Sequence, residues 1–185
     1  MYEKTFPVKR YKNTLAFLQK HITTQETILD LGVSNPFSAI MKQHGYDVVN
    51  TGGEDLDLDF EFVQNSKARV VTAFEIFEHL LAPYNILRAI QADKIVASVP
   101  LKLWFAPAYK SKTDPWDRHY HEFEAWQFNW LLEKAGWEIK DTFSWANPVK
   151  KFGLRPLLRL FTPRYYIVYA ERKKIPESTE FTASE

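Results

Sequence analysis

The segment TILDLGVSNPFSAIMKQHG, residues 27–45, predicts a buried strand, a tight turn and an amphipathic helix in immediate succession. The run ILDL is typical of a buried strand, and Phe37, Ile40, Met41 and His44 after the turn fall at i, i+3, i+4 and i+7, which predicts a helix with one largely apolar face. Asn35 and Pro36 fit the N-cap and the first helical position. A helix that starts in this way turns its backbone N–H groups toward the carboxyl edge of a sheet, where open α/β folds bind ligands.

The turn itself carries a family resemblance. The residues Asp30-Leu31-Gly32-Val33-Ser34-Asn35-Pro36 resemble the first motif of class I S-adenosylmethionine-dependent methyltransferases, in which a hydrophobic strand ends in Asp/Glu-x-Gly-x-Gly-x-Gly. Gly32 matches the first glycine of that motif. Ser34 and Pro36 stand where the motif has its second and third glycines.

Later segments resemble the same family in the same order along the chain. Residues 70–90, VVTAFEIFEHLLAPYNILRAI, resemble its fourth strand, a Glu-His-Leu and a helix; the segments KIVASVPLK, FEAWQFNWLLEKAGWEI and PRYYIVYAERK resemble its fifth, sixth and seventh strand regions. The resemblance covers residues 9–174. It implies an α/β fold with a Rossmann-like, doubly wound, mostly parallel sheet of seven strands, helices on both faces, and an antiparallel last strand (165–171) beside the fifth.

The pattern of the other segments agrees with one domain over residues 1–174, followed by a polar tail, 175–185, that we expect to be disordered. Strands alternate with helices, which favours a mostly parallel sheet. The predicted helices are 9–21, 36–44, 83–91 and 123–135, and the predicted strands are 27–31, 47–51, 68–74, 94–99, a strand after Gly136, and 165–171. The alternating run GEDLDLDF, residues 53–60, predicts at most a short third strand at the sheet edge.

Composition excludes several classes of protein. The chain has 185 residues, a net charge of +1 and no cysteine, so disulfides, thiolate metal sites and a cysteine nucleophile are excluded, and nothing in the charge balance indicates nucleic-acid binding. It shows neither a signal peptide nor a membrane-spanning apolar run, so we expect a cytoplasmic protein.

The resemblance implies S-adenosylmethionine as the cofactor. Asp30 would accept from the amino group of its methionine part, while Gly32 and Ser34 would allow close backbone approach. Glu54 or Asp55 is the nearest substitute for the acidic residue that the family has at the end of its second strand, a position that falls near Gly52 here. The implied cofactor residues are Asp30, Gly32, Ser34, Asn35, Glu54, Asp55, Asp57 at the adenine end, Phe74 and Glu75. A solvated acidic edge is the alternative for the acidic cluster.

The candidate catalytic residues are Glu78, His79, His119 and His121. By analogy with the family, Glu78 and His79 would contact the acceptor or remove its proton, because an imidazole titrates near neutral pH; alternatively His79 caps the next helix. His119 and His121 lie in an aromatic-rich loop, 104–121, which we expect to close over the cofactor. A metal site there lacks a third defined ligand, so the prediction is no metal, and ordinary loop packing stays open.

The stretch VKKFGLRPLLRLFTPRYY, residues 149–166, alternates basic and apolar residues. It predicts a crossover helix that packs its leucines on the sheet; alternatively, the stretch binds a membrane surface or an anionic substrate.

Two functions remain: a methyltransferase acting on a small-molecule, lipid or sugar acceptor, and a methyltransferase-like binding module without catalysis, which the departures at Ser34, Pro36 and Gly52 motivate. The oligomeric state stays open.

Overall fold

The computed structural model describes residues 7–114, 117–147 and 153–173. Its α-helices are Val8–His21 (α1), Pro36–Gln43 (α2), Glu61–Asn65 (α3), Pro83–Ala89 (α4), Ala125–Lys134 (α5) and Leu154–Phe161 (α6). Its strands are Thr27–Asp30 (β1), Asp47–Asn50 (β2), Val70–Phe74 (β3), Lys94–Pro100 (β4), Trp137–Ala146 (β5) and Pro163–Arg172 (β6). A short 3₁₀ helix, Phe77–His79, follows β3.

The strands form one mixed sheet in the order β2-β1-β3-β4-β6-β5. β1 pairs in parallel with β2 and β3, and β3 pairs in parallel with β4. β6 is antiparallel to both of its neighbours, β4 and β5. The α/β fold and the antiparallel last strand beside the predicted fifth strand are therefore confirmed, whereas the prediction of seven strands is wrong, since the sheet of the described residues has six.

The missing strand is the one predicted over residues 53–60. Asp55 Oδ1 accepts a hydrogen bond from the backbone N–H of Asp57 (3.0 Å), and Asp59 Oδ1 accepts one from Glu61 (3.0 Å). Aspartate side chains that bond two residues onward satisfy the backbone locally and bend it into turns. The alternating acidic and apolar residues thus form turns that lead into α3, and not an edge strand.

The helices lie on both faces of the sheet. Successive strand residues point to opposite faces, and the two apolar clusters divide the strands accordingly: Leu29 and Val71 belong to one, Ile28 and Val70 to the other. The first cluster includes residues of α3, α4 and α5, and the second includes residues of α1 and α2. The carboxyl ends of β1, β3 and β4 therefore open between two helical layers.

Helix α6 does not pack its leucines on the sheet, so that prediction is wrong. It has no buried residue, and Leu154 and Phe161 are 73% and 80% exposed. Its basic residues Arg155 and Arg159 lie beside this exposed apolar face. The sequence pattern therefore predicts the helix correctly, but it does not predict that the apolar face of the helix is exposed.

Some predictions fall on residues outside the described ranges. These are the tail 175–185 and the basic pair Lys150 and Lys151. Over the ranges that the structure does cover, no helix has the length and apolar character needed to cross a membrane.

Candidate functional site

The turn after β1 is built around a buried carboxylate. Asp30 Oδ1 accepts from the Thr72 hydroxyl (2.7 Å), and its Oδ2 accepts from Asn50 Nδ2 (2.9 Å), so the side chain joins β1 to the strands on both sides. Burial raises the pKa of Asp30 from its usual 3.8 to about 6, although the hydrogen bonds from Thr72 and Asn50 oppose the rise.

Gly32 brings the chain close to the segment that follows β3. Its φ of +100° favours glycine, and a Cβ atom there would lie 3.2 Å from Ile76 Cδ1. The Gly32 N–H donates to Thr51 Oγ1 at 2.7 Å. The turn then enters α2 through the predicted N-cap, since the Asn35 side chain accepts from the N–H groups of Phe37 (2.9 Å) and Ser38 (3.1 Å).

A cavity of about 240 Å³ opens beside this turn, at the carboxyl ends of β1, β3 and β4. Its lining combines the first turn, one side of α1 and the residues that follow β3: Arg10, Tyr11, Thr14, Asp30, Leu31, Gly32, Val33, Asn35, Phe37, Phe74, Glu75, Ile76 and Ser98. The walls are mostly apolar, with charged groups at a few points. This is the usual character of a small-molecule site.

Glu75 is the acidic group of the cavity on the β3 side. Its backbone has φ 59°, which is rare for a residue other than glycine. Its Oε1 accepts from Ser98 Oγ (2.8 Å), and its Oε2 lies 3.6 Å from Arg10 Nη1. Burial raises the pKa of Glu75, and the Arg10 guanidinium opposes that rise.

A second cluster of polar side chains is formed by the 3₁₀ helix and by the loop 104–121. One ligand atom each from Glu78, His79 and His119 lies within 4.8 Å of the other two. Glu78 is only 1% exposed, and its Oε2 has no hydrogen-bond partner among the described residues. Burial and the neighbouring Glu75 carboxylate raise the pKa of Glu78 well above its usual value, against the attraction of Arg164 and Arg10.

The histidines are each oriented through Nδ1. His79 Nδ1 lies 2.9 Å from the carbonyl oxygen of Arg118, and His119 Nδ1 lies 2.9 Å from Glu122 Oε1. Burial lowers the pKa of His79, despite the bond to that carbonyl. Burial acts to raise the pKa of Glu122, but the hydrogen bonds from His119 and from the Tyr109 N–H outweigh it, so the pKa falls.

Backbone bonds bring the aromatic-rich loop to this group. The N–H groups of Tyr120 and His121 donate to the carbonyl of Glu78 at 2.8 and 3.3 Å. His121, however, turns its ring to the Leu81 carbonyl (3.2 Å) and stacks on Phe123, apart from the other two candidate histidines. The cavity lining includes no described residue of the loop 104–121, so the loop covers the 3₁₀ helix in this structure and not the cavity.

The predicted cofactor residues divide into two sets. Those that line the cavity are Asp30, Gly32, Asn35, Phe74 and Glu75, and those outside its lining are Ser34, Glu54, Asp55 and Asp57. Asp57 accepts with both oxygens from the N–H groups of Leu81 and Ala82 (2.8 Å each), so it fixes the start of α4. Glu54 Oε2 accepts from the Gly52 N–H (2.8 Å).

Sequence analysis did not predict that α1 contributes residues to the cavity lining. Arg10 and Thr14 are polar residues four apart, on the same side of the helix as buried Phe17 and Leu18. Polar residues that continue an apolar helix face are the signal that could have placed α1 beside a site.

The fold is similar to those of solved methyltransferases. An S-adenosylmethionine-dependent methyltransferase from Mesorhizobium loti aligns with a TM-score of 0.59 and 14% identity, over 85% of this chain and 96% of that one. One from Methanosarcina mazei aligns with a TM-score of 0.61 and 11% identity, over 86% and 98% of the two chains. The cyclase SpnF aligns with a TM-score of 0.58 and 13% identity, over 94% and 85%.

No protein-family model matches the sequence, and no curated protein matches it. At 11–14% identity these likenesses show the fold alone. The chain thus has the fold of S-adenosylmethionine-dependent methyltransferases, and SpnF illustrates that one fold can serve more than one activity.

Proposed function

We propose that the protein is an S-adenosylmethionine-dependent methyltransferase. The observation that carries this proposal is the cavity at the first turn, where Asp30, Gly32 and Glu75 meet at the carboxyl edge of the sheet. Ligands bind at that edge in open α/β folds. The methyltransferase fold of the chain supports the same conclusion.

The cavity residues suit the chemical parts of this cofactor. Its methionine end carries an ammonium and a carboxylate; Asp30 and Glu75 are acceptors for the first, and the Arg10 guanidinium is a partner for the second. Apolar side chains such as Phe37 and Phe74 suit the adenine ring.

The cavity volume of about 240 Å³ lies below the roughly 300–1,000 Å³ of typical ligand sites. Part of the cofactor would therefore lie beyond the cavity mouth. The loop after β2 reaches the cavity wall there, since a Cβ on Gly53 would lie 3.1 Å from Val33 Cγ1. Glu54, on this loop, is our candidate acid for the ribose hydroxyls.

When bound, S-adenosylmethionine supplies an electrophilic methyl group on a sulfonium sulfur. The protein must then align the acceptor and take its proton. His79 suits that role because burial lowers its pKa, so the ring is neutral near pH 7 and can accept a proton at Nε2. Glu78 and His119 lie against it. The proposed acceptor is a small molecule, a lipid or a sugar.

Calorimetric titration with S-adenosylmethionine and with its demethylated product tests the cofactor. Arg10→Gln removes the cation from the cavity wall and should weaken binding by about 1–3 kcal/mol, the loss expected for a charged hydrogen bond. Lys12→Gln is the matched control, because it removes a positive charge from the exposed side of the same helix. Absence of binding by the unmutated protein at millimolar ligand would refute the proposal.

Turnover separates an enzyme from a binding module. Once an acceptor is found, His79→Ala should lower the rate by about a hundredfold if the ring is the general base. Tight cofactor binding with no methyl transfer to any small-molecule, lipid or sugar acceptor would instead favour the module without catalysis.

A further inference from the structure

We propose that Glu78, His79 and His119 form a binding site for a divalent transition-metal ion. The three residues come from the 3₁₀ helix after β3 and from the loop 40 residues later in the chain. One potential ligand atom of each lies within 4.8 Å of the other two. Two ligands bonded to one ion at about 2.1 Å in tetrahedral geometry are about 3.4 Å apart, so binding requires the side chains to move inward by up to about 1.4 Å.

The hydrogen bonds of both histidines favour metal binding through Nε2. A carbonyl oxygen can only accept, so His79 carries its proton on Nδ1 and donates to Arg118; His119 donates from Nδ1 to the carboxylate of Glu122 in the same way. A neutral ring protonated at Nδ1 presents a lone pair at Nε2. Metal-binding histidines are usually held by such a bond from the other ring nitrogen to a carbonyl or a carboxylate.

Because His79 carries its proton on Nδ1, two hydrogen-bond acceptors face one another in the cluster. His79 Nε2 lies 3.8 Å from Glu78 Oε1, and a neutral His79 has no proton at Nε2 to donate across that gap. Glu78 Oε2 is buried and without a hydrogen-bond partner among the described residues. Buried polar groups are nearly always paired, and an unpaired buried carboxylate is strongly destabilising. A cation between the three groups would supply the missing partner.

The donor set indicates the kind of ion. Two imidazole nitrogens and one carboxylate oxygen suit borderline ions such as Zn²⁺ and Fe²⁺, whereas Mg²⁺ prefers ligands that are all oxygen. The His79 side chain is 27% exposed, which provides an entry path from solvent. With the ion bound, His79 Nε2 is a ligand and cannot also accept a proton, so the ion would activate the acceptor in its place: three protein ligands leave further positions on the ion, which can bind a hydroxyl oxygen of the acceptor and lower its pKa. This last role rests on the proposed methyltransferase function.

The test is a titration of EDTA-treated protein with Zn²⁺ near neutral pH, followed by calorimetry and by the visible absorption of Co²⁺. We expect one tight equivalent and a Co²⁺ spectrum typical of nitrogen and oxygen ligands. Glu78→Gln and His119→Ala should each weaken Zn²⁺ binding by about a hundredfold or more. His44→Ala removes an exposed histidine at the end of α2 and should leave the affinity within about threefold.

The competing explanation is that Glu78 is protonated, so that its buried carboxyl group carries no charge and needs no cation. The same variants distinguish a bound metal ion from a bound proton. Glu78→Gln imitates the protonated acid, so a protein that needs only the proton would bind no Zn²⁺ before or after the change. No saturable Zn²⁺ binding by the unmutated protein, equal loss in His44→Ala, or Mg²⁺ binding as tight as Zn²⁺ would each overturn the inference. Melting curves of metal-free variants show whether they are folded.

Titration of the metal-free protein with S-adenosylmethionine keeps the two proposals separate. Cofactor binding without Zn²⁺ binding would overturn the metal site alone. Zn²⁺ binding without cofactor binding would overturn the proposed function and leave the metal site standing.

Discussion

Replacing Asp30 by asparagine should make the protein more stable at neutral pH and a weaker binder of its cofactor. Asparagine imitates the protonated carboxyl group at every pH. Its amide oxygen can accept from Asn50 and its NH₂ can donate to Thr72, because a hydroxyl accepts as well as donates. The substitution therefore keeps both native bonds of the side chain and removes its charge.

The magnitude follows from the pKa of Asp30. In the folded protein it is about 6, raised from 3.8, so the native state holds the proton more tightly than the unfolded chain does. Stability then falls as the pH rises from about 4 to about 6 and stays level above. At about 1.4 kcal/mol for each tenfold change in proton affinity, the ionised side chain costs about 3 kcal/mol at pH 8. Asp30→Asn should recover that amount there and only about 0.6 kcal/mol near pH 4, where the carboxyl group is still protonated in the folded protein.

Urea unfolding of both proteins near pH 8 and near pH 4 measures this difference. Asp47→Asn is the control, since it removes an exposed carboxylate from the neighbouring strand β2. A variant that is no more stable than the parent at pH 8, or whose gain is the same at both pH values, would refute the reasoning. Calorimetry should show S-adenosylmethionine binding weakened by about 1–3 kcal/mol in the same variant, a trade of function for stability that is common at active sites.

Three further variants compare buried with exposed side chains by their unfolding free energies. Tyr46→Phe should cost about 0.5–1.5 kcal/mol in urea unfolding, because the buried hydroxyl donates to the Ile22 carbonyl at 3.0 Å; an unchanged midpoint would contradict this. Trp137→Ala should cost about 3–5 kcal/mol, since the fully buried indole leaves a cavity, and a loss below 1 kcal/mol would show that the site collapses without penalty. The double variant Leu154→Ser and Phe161→Ser should stay within about 0.5 kcal/mol of the parent in thermal unfolding, and a larger loss would mean that α6 packs more tightly than its exposure indicates.

The sequence predicts best where the determining interactions are local. The cap at Asn35 was predictable because its partners, the N–H groups of Phe37 and Ser38, lie within a few residues, and the structure confirms the cap. The run 53–60 was predicted wrongly because a different set of local interactions determines its structure. A strand would place Leu56 and Leu58 on the same face, but Leu56 is buried and Leu58 is 80% exposed. The aspartates accept hydrogen bonds from nearby N–H groups and bend this segment into turns.

Contacts between segments that are far apart in the sequence were harder to predict. Arg10 reaches the cavity from a helix that precedes β1, and nothing near it in sequence identifies Glu75 as its partner. His119 was a candidate by residue type, yet its position against His79 depends on backbone bonds across about 40 residues, such as that from Tyr120 to Glu78. The same bonds direct His121 elsewhere, although it is only two residues away.

The position of β6 in the sheet has a consequence for how the chain folds during its synthesis. β4 is a largely buried strand, and one of its two edges pairs only with β6, the last strand of the described chain. Until residues 163–172 have been synthesised, a nascent chain carries an apolar strand with an open edge, a known starting point for aggregation. β5 also has no partner in the sheet before β6 arrives. The sheet therefore closes late and from its C-terminal side, and a chain cut before residue 163 should need a chaperone to stay in solution.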